Sequence, residues 1–205
     1  MSGVLPPINV AILAVPEVTA SAVYVMYDLF AGVARDWAFI TTGVPGPGRM
    51  RPYVVTLEPA GVQSANGIEI KPDYTLDDCP EPAIVCIPDF SLTPGASCEE
   101  TYAAEAAWLH RCHARGATLA SVCTSTMLLA ATGLLDDREA TIHWAYAKTL
   151  AQHYPTVRVH QNRALVVSGV GQRLERDAAG LGDWDASLHE PGAGSRPTRS
   201  TRPGQ

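Results

Sequence analysis

Ala117-Thr-Leu-Ala-Ser-Val-Cys-Thr-Ser-Thr-Met-Leu-Leu-Ala-Ala-Thr132 is the stretch on which the reading of this chain turns. It opens as a short apolar run, passes through Cys123 and continues at helical spacing until Gly133. This predicts a buried strand, a sharp turn carrying the cysteine, and a helix directly behind it. That is the pattern of a nucleophile elbow, a turn so tight that the residues two before and two after the nucleophile must be small. Here they are Ser121 and Ser125. The N–H groups of the new helix then point at the sulfur, and the helix dipole favours thiolate over thiol. A cysteine held this way is expected to be nucleophilic, oxidisable, or both. The competing reading is a buried structural cysteine at a strand end.

Working outward, Ile8-Asn-Val-Ala-Ile-Leu-Ala-Val15 and Ala83-Ile-Val-Cys-Ile87 are near-continuous apolar runs closed by Pro16 and Pro88, as expected of strands buried on both faces. Thr19 is placed to cap a helix whose Ala22, Val23, Met26, Tyr27 and Phe30 recur at helical spacing. Trp37 to Thr41 reads as the next strand, and Gly43 to Gly48 as a glycine- and proline-rich loop. Pro52 to Leu57 and Ile68 to Ile70 read as short strands around the Asn66-Gly67 turn. Ser97 and Glu100 form a capping box for a helix to about Arg115, with Gly116 past its end. Thr141 is expected to cap a further helix that stops before Pro155, and Val157 to His160 and Ala164 to Ser168 read as late strands. Strands alternating with helices imply a parallel, doubly wound α/β sheet whose site lies at the carboxyl ends of the strands. Cys123, Glu17 and Asp89 all stand at such ends.

The 205 residues suit one domain, with 46% hydrophobic and 18% charged residues, the composition of an ordinary globular protein. A net charge of −6 argues against a nucleic-acid grip by this chain, and no apolar stretch is long enough to span a membrane. No basic region or signal core precedes the first strand. Five cysteines at irregular spacing fit a reducing cytoplasm better than a disulfide framework, and no Cys/His spacing resembles a metal site. From about Leu174 the apolar periodicity stops, and residues 174–205 are expected to form a disordered tail behind a domain of residues 1–173.

Ala120-Ser-Val-Cys-Thr124, Leu128-Leu-Ala-Ala-Thr-Gly-Leu-Leu-Asp136 and Ala140-Thr-Ile-His-Trp144 together resemble the ThiJ/PfpI family of class I glutamine amidotransferase-like domains. More closely they are similar to the subgroup that forms the N-terminal half of AraC-type transcriptional regulators. The similarity covers roughly residues 8–173, and the Cys-to-His-Trp block is its most specific part. It implies a flavodoxin-like, three-layer sandwich, usually dimeric, needing no cofactor, with the reactive cysteine on the elbow. Two roles are known among such proteins: a ligand-sensing regulator domain, and isonitrile hydratase, which adds water to a small substrate through its cysteine.

The chain departs from the family's pattern at several places. Catalytic members carry an acid on the helix after the first strand; by register from Pro16 and Asp28 that position is Ala22, leaving Glu17 as the nearby substitute. Thr124 stands where protease-like members have His, and no late His-x-Glu pair completes an amidotransferase triad. The usual Gly-Gly pair of the oxyanion loop is replaced by Pro88-Asp89-Phe90, so Asp89 and Phe90 are candidate pocket residues, with Asp89 alternatively capping the next turn. His143 matches the family's pocket histidine, able to bond a ligand or donate a proton, or else is packed beside Trp144. No helix-turn-helix follows residue 173, which suggests a frameshifted or truncated gene. The resemblance thus implies a homodimeric small-molecule or redox sensor built on Cys123 and His143. The alternative is a hydratase or hydrolase of a small nitrogen-containing substrate, with Cys123 attacking, the Thr124 N–H holding developing charge, and Glu17 or His143 moving protons.

Overall fold

Two apolar runs with no polar face can only be buried from both sides, and they form the centre of the sheet. In a computed structural model, which describes residues 6–93 and 98–168, β1 (Ile8–Leu13) pairs in parallel with β2 (Met50–Thr56) on one side and β6 (Ile84–Ile87) on the other. β5 (Tyr74–Thr75) extends the sheet beyond β2, and β7 (Thr118–Ser121) beyond β6, giving the order β5-β2-β1-β6-β7. Helices cover both faces of this five-stranded parallel sheet, the three-layer α/β sandwich. Pro52 is tolerated inside β2 because the partner strand β5 meets only Val55 and Thr56, so the sheet edge is open at the proline.

Helix α1 (Ala20–Gly32) packs over β1 and β2 with Ala20 and Val23 buried, while Met26 and Tyr27 lie against the core. Residues 36–42 depart from the expected strand. They form helix α2 (Asp36–Thr42), ended by Gly43 in the left-handed conformation at φ 75°. The aromatic and β-branched content of Trp37 to Thr41 favours a strand locally, but no neighbouring strand pairs with it, and its hydroxyls bond within the turn: Thr41 to Trp37 O and Thr42 to Ala38 O.

The hairpin at Asn66-Gly67 is made by β3 (Val62–Gln63) and β4 (Glu69–Ile70), not by the 52–57 segment, which belongs to the main sheet. The helix expected after Ser97 is two pieces, α3 (Cys98–Thr101) and α4 (Ala103–Ala114), with Gly116 beyond at φ 94°. Ser97 itself lies outside the described residues, as do the expected boundary at residue 173 and the tail 174–205.

After β7 comes a short 3-10 turn, Cys123–Ser125, and α5 (Thr126–Ala131), with Gly133 at φ 74° stopping it. Met127 and Leu128 anchor α5 in the core, each at most 1% exposed. β8 (Glu139–Ala140) pairs with β9 (Arg158–Val159), and α6 (Ala147–His153) lies between them in sequence. Thr141 does not cap a helix. Its hydroxyl donates to the carbonyls of His160 and Arg163, and it is His143 that caps the short 3-10 turn Trp144–Tyr146 ahead of α6, its Nδ1 accepting the Ala145 N–H at 3.3 Å. Residues 164–168 form no strand either, and Leu165 and Val167 are left exposed.

Candidate functional site

The carboxyl ends of β1, β6 and β7 converge on one cluster of loops. The chain leaving β1 turns at Glu17, a non-glycine residue at φ 65°, and the chain leaving β7 turns at Cys123, at φ 58°. A left-handed conformation costs an L-residue roughly 1–2 kcal/mol, so both turns are held by their surroundings.

At the cysteine, the restraint comes from its neighbours. The Ser125 hydroxyl accepts the Val122 N–H at 2.8 Å and donates to the Ile87 carbonyl at 2.6 Å, tying the turn back to β6. Ser121 and Thr126 share a hydrogen bond at 3.1 Å, and Thr126 donates on to the Thr141 carbonyl at 3.0 Å. Small hydroxyl side chains on both sides of Cys123 therefore close the turn as well as fitting it.

Thr124, on the far side of the sulfur, is buried and clips the second loop. Its hydroxyl donates to the Phe90 carbonyl at 2.6 Å and accepts the Phe90 N–H at 3.1 Å. The loop after β6 is tied equally firmly to the loop after β1. Thr19 donates its N–H to the Asp89 carbonyl at 2.9 Å and its hydroxyl to the Asp89 carboxylate at 2.6 Å, while the Ser91 N–H bonds the Glu17 carbonyl at 2.9 Å. Thr19 sits at the α1 N-cap without using its side chain to cap the helix. Asp89 is thus bound back to the first loop and does not cap the turn that follows it.

Cys123 is half-buried. Burial pushes its thiol above the ordinary value, the Thr124 N–H pulls it partly back, and the Asp89 carboxylate pushes it up again. These influences oppose the thiolate that a helix dipole would favour. The physical reason is that α5 is only six residues long, and the charged group facing the sulfur is an anion.

The other expected residues divide. Phe90 is 2% exposed, its ring edge-on to Tyr102 at 5.1 Å, so its side chain is core and only its backbone faces the cluster. The Glu17 side chain is exposed, and its backbone, not its carboxylate, makes the contacts seen. His143 is exposed too, with its ring 5.3 Å from Trp144 and 6.3 Å from Tyr146. Because Nδ1 accepts a hydrogen bond, the proton of neutral His143 is on Nε2. Its segment is tethered to the cluster by Thr126 and by the Tyr146 hydroxyl, which reaches the Leu92 carbonyl at 3.5 Å. From the sequence Thr19 reads only as a helix cap, and Tyr102 is not singled out. Tyr102, whose phenol burial pushes up to about 12, feels the charge of Glu17. Among the described residues, no three His, Cys, Asp or Glu side chains gather as they would around a metal ion.

Residues 10–170 match the DJ-1/PfpI family. The chain belongs to this family. Within it, the chain is 36% identical over 85 residues to isonitrile hydratase of Pseudomonas putida, covering 42% of this chain and 36% of that protein. It is 28% identical over 114 residues to the HTH-type transcriptional regulator CdhR of Pseudomonas aeruginosa, covering 53% of this chain and 31% of the regulator. The chain therefore spans about a third of the length of these curated relatives. In three dimensions it is similar to an AraC family transcriptional regulator from Pseudomonas putida, with a TM-score of 0.60 at 18% identity over 79% of this chain and 80% of that one. That likeness carries the fold alone. No helix among the described residues is long and apolar enough to cross a membrane.

Proposed function

We propose that this chain is a sensor domain of the regulator type, which binds a small molecule or registers oxidation at a pocket bordered by Cys123 and His143. The observation that carries this reading is the state of the loop after β6. A cysteine hydrolase needs free backbone N–H groups aimed at the developing oxyanion. Here the Phe90 N–H is taken by Thr124 and the Ser91 N–H by Glu17. The thiol held above its ordinary value and the Ala22 in place of an acid point the same way. The five free cysteines fit a reducing cytoplasm, and the domain works as a homodimer without binding nucleic acid itself.

A second reading is hydration of an isonitrile-like substrate. It is favoured by the 36% identity to isonitrile hydratase and by an elbow-like turn at Cys123 with the Thr124 N–H on the sulfur. In that scheme Cys123 attacks, the Thr124 N–H holds developing charge, and Glu17 or His143 moves protons. Consumption of a small alkyl isonitrile by the intact chain and by Cys123→Ser separates the two. The sensor reading expects no turnover by either protein, with thermal stabilisation by ligand in the intact chain only. Turnover abolished in Cys123→Ser would replace it with the hydratase.

A further inference from the structure

The edge of the sheet is left open where β2 begins. The Ile8 N–H bonds the Arg49 carbonyl at 3.0 Å and the Ala14 N–H bonds the Val55 carbonyl at 2.9 Å, so the odd-numbered residues of this stretch turn their backbone groups to β1. Met50 and Pro52, the alternate residues, turn theirs outward, and β5 reaches only Val55 and Thr56.

A cleft of about 420 Å³ occupies this gap. Its size is near the lower end of the roughly 300–1,000 Å³ of small-molecule sites. It is remote from the turn of Cys123: the strands are parallel, and Met50 begins β2 whereas Cys123 follows the end of β7.

The walls of the cleft are fixed. Tyr27 and Ala31 of α1 stand on one side and Tyr74 of β5 on the other. The loop between α2 and β2 closes the end, where the Gly46 N–H bonds the Arg35 carbonyl at 3.1 Å and the Arg49 N–H bonds the Val33 carbonyl at 3.0 Å. A Cβ on Gly46 would stand 2.1 Å from the Ala34 carbonyl oxygen, so only glycine brings the loop in this far.

The chemistry of the lining selects the ligand. Tyr53 is 2% exposed and meets Tyr74 edge-on at 5.3 Å, and its hydroxyl is spent on the Pro80 carbonyl, which leaves it as an aromatic wall. Two of the charged groups are also engaged: Arg35 Nε holds Asp36 at 2.8 Å, and the Asp73 carboxylate accepts the Val54 N–H at 2.8 Å. Arg51 makes no ion pair among the described residues. It stands two residues from Tyr53, on the same face of the strand, and its charge acts on the Tyr53 phenol. A guanidinium beside aromatic rings calls for a flat body bearing an anion. Pro52 decides between a small molecule and a peptide, because an added strand needs a backbone donor there and proline has none.

We propose that this cleft is a ligand site separate from the Cys123 pocket, for a small aromatic carboxylate whose acid group pairs with Arg51 and whose ring lies among Tyr27, Tyr53 and Tyr74. It does not rest on what Cys123 does, and the two sites can fail separately.

The test is an amide NMR titration of the full chain with a naphthalene carboxylate and with the matching carboxamide, its uncharged counterpart. The acid should bind with a Kd of about 0.1–1 mM and shift the signals of Ala31, Gly48, Arg51 and Tyr74, leaving residues 123–126 unmoved. The amide should bind at least about tenfold more weakly, and Arg51→Gln should weaken the acid by a similar factor. Arg51→Lys should recover part of the loss, since it keeps the charge without the planar fork. Ala31→Trp, which fills the cleft without altering its charge, should abolish binding. Absence of saturable binding by the intact chain overturns the proposal. So do shifts centred on residues 123–126, or acid binding that survives either Arg51→Gln or Ala31→Trp.

Discussion

The Thr124 hydroxyl satisfies both backbone groups of Phe90, donating to its carbonyl and accepting its N–H, across 34 positions of sequence. One side chain thereby fixes the loop after β6 to the turn that carries Cys123. Thr124 is 6% exposed, so removing its oxygen leaves a buried donor and acceptor unpaired.

Thr124→Val should therefore cost about 1–3 kcal/mol in urea unfolding, while Thr124→Ser, which keeps the oxygen, should cost far less. Equal losses for the two would show that the methyl packing, not the clip, is what matters.

Cys123 sits at φ 58°. Glycine adopts that conformation freely and alanine does not, so Cys123→Gly should be more stable than Cys123→Ala by about 1 kcal/mol. A helix or strand interior would give the opposite order, which makes the comparison a test of the turn itself.

The thiol of Cys123 is pushed up by burial and by Asp89. The pH profile of its alkylation, taken with Cys123→Ser as the blank, should have its midpoint above the ordinary value of about 8.5. Asp89→Asn removes the charge but keeps an acceptor for Thr19, so the midpoint should move down. A wild-type midpoint well below 8.5 would restore the activated nucleophile and, with it, the hydratase.

Glu105 is 3% exposed, and burial raises its carboxyl above the usual 4.5. Below pH 4.5 the group is protonated whether the chain is folded or not, and nothing is lost. As pH rises the unfolded chain ionises first, so stability falls until the folded group has ionised too. Glu105→Gln should melt higher than wild type at pH 7 and together with it near pH 4, measured by thermal unfolding. A variant that melts lower at neutral pH would mean that the carboxylate has a compensating partner.

The sheet was legible because its central strands leave no ambiguity: an apolar run closed by proline, as at Ile8–Val15 and Ala83–Ile87, has nowhere to go but the middle. Segments with the right residues and no neighbour were not legible. Trp37–Thr41 and Ala164–Ser168 have strand composition, but pairing is a property of the partner, and neither has one among the described residues. At the site, residue types announced Cys123 and its small neighbours, yet nothing about a glutamate signals a left-handed backbone at Glu17. The helix dipole expected at Cys123 depended on the length of α5, which Gly133 cuts short, and on the sign of the charge opposite. Asp89 supplies that charge from the loop after β6, more than thirty residues away in sequence. Thr19 was read as a cap because caps are local, whereas its hydroxyl went to a residue 70 positions on.

That long-range bond gives α1 a mechanical role. Thr19 grips Asp89 through both its N–H and its hydroxyl, and α1 starts at the next residue. Asp89 cannot swing toward or away from the sulfur without letting go of the helix or dragging its first turn along. The helix is a lever: its short arm rests on the loop beside Cys123, and its long arm runs thirteen residues across the sheet, carrying Val25 and Leu29 on its outer side.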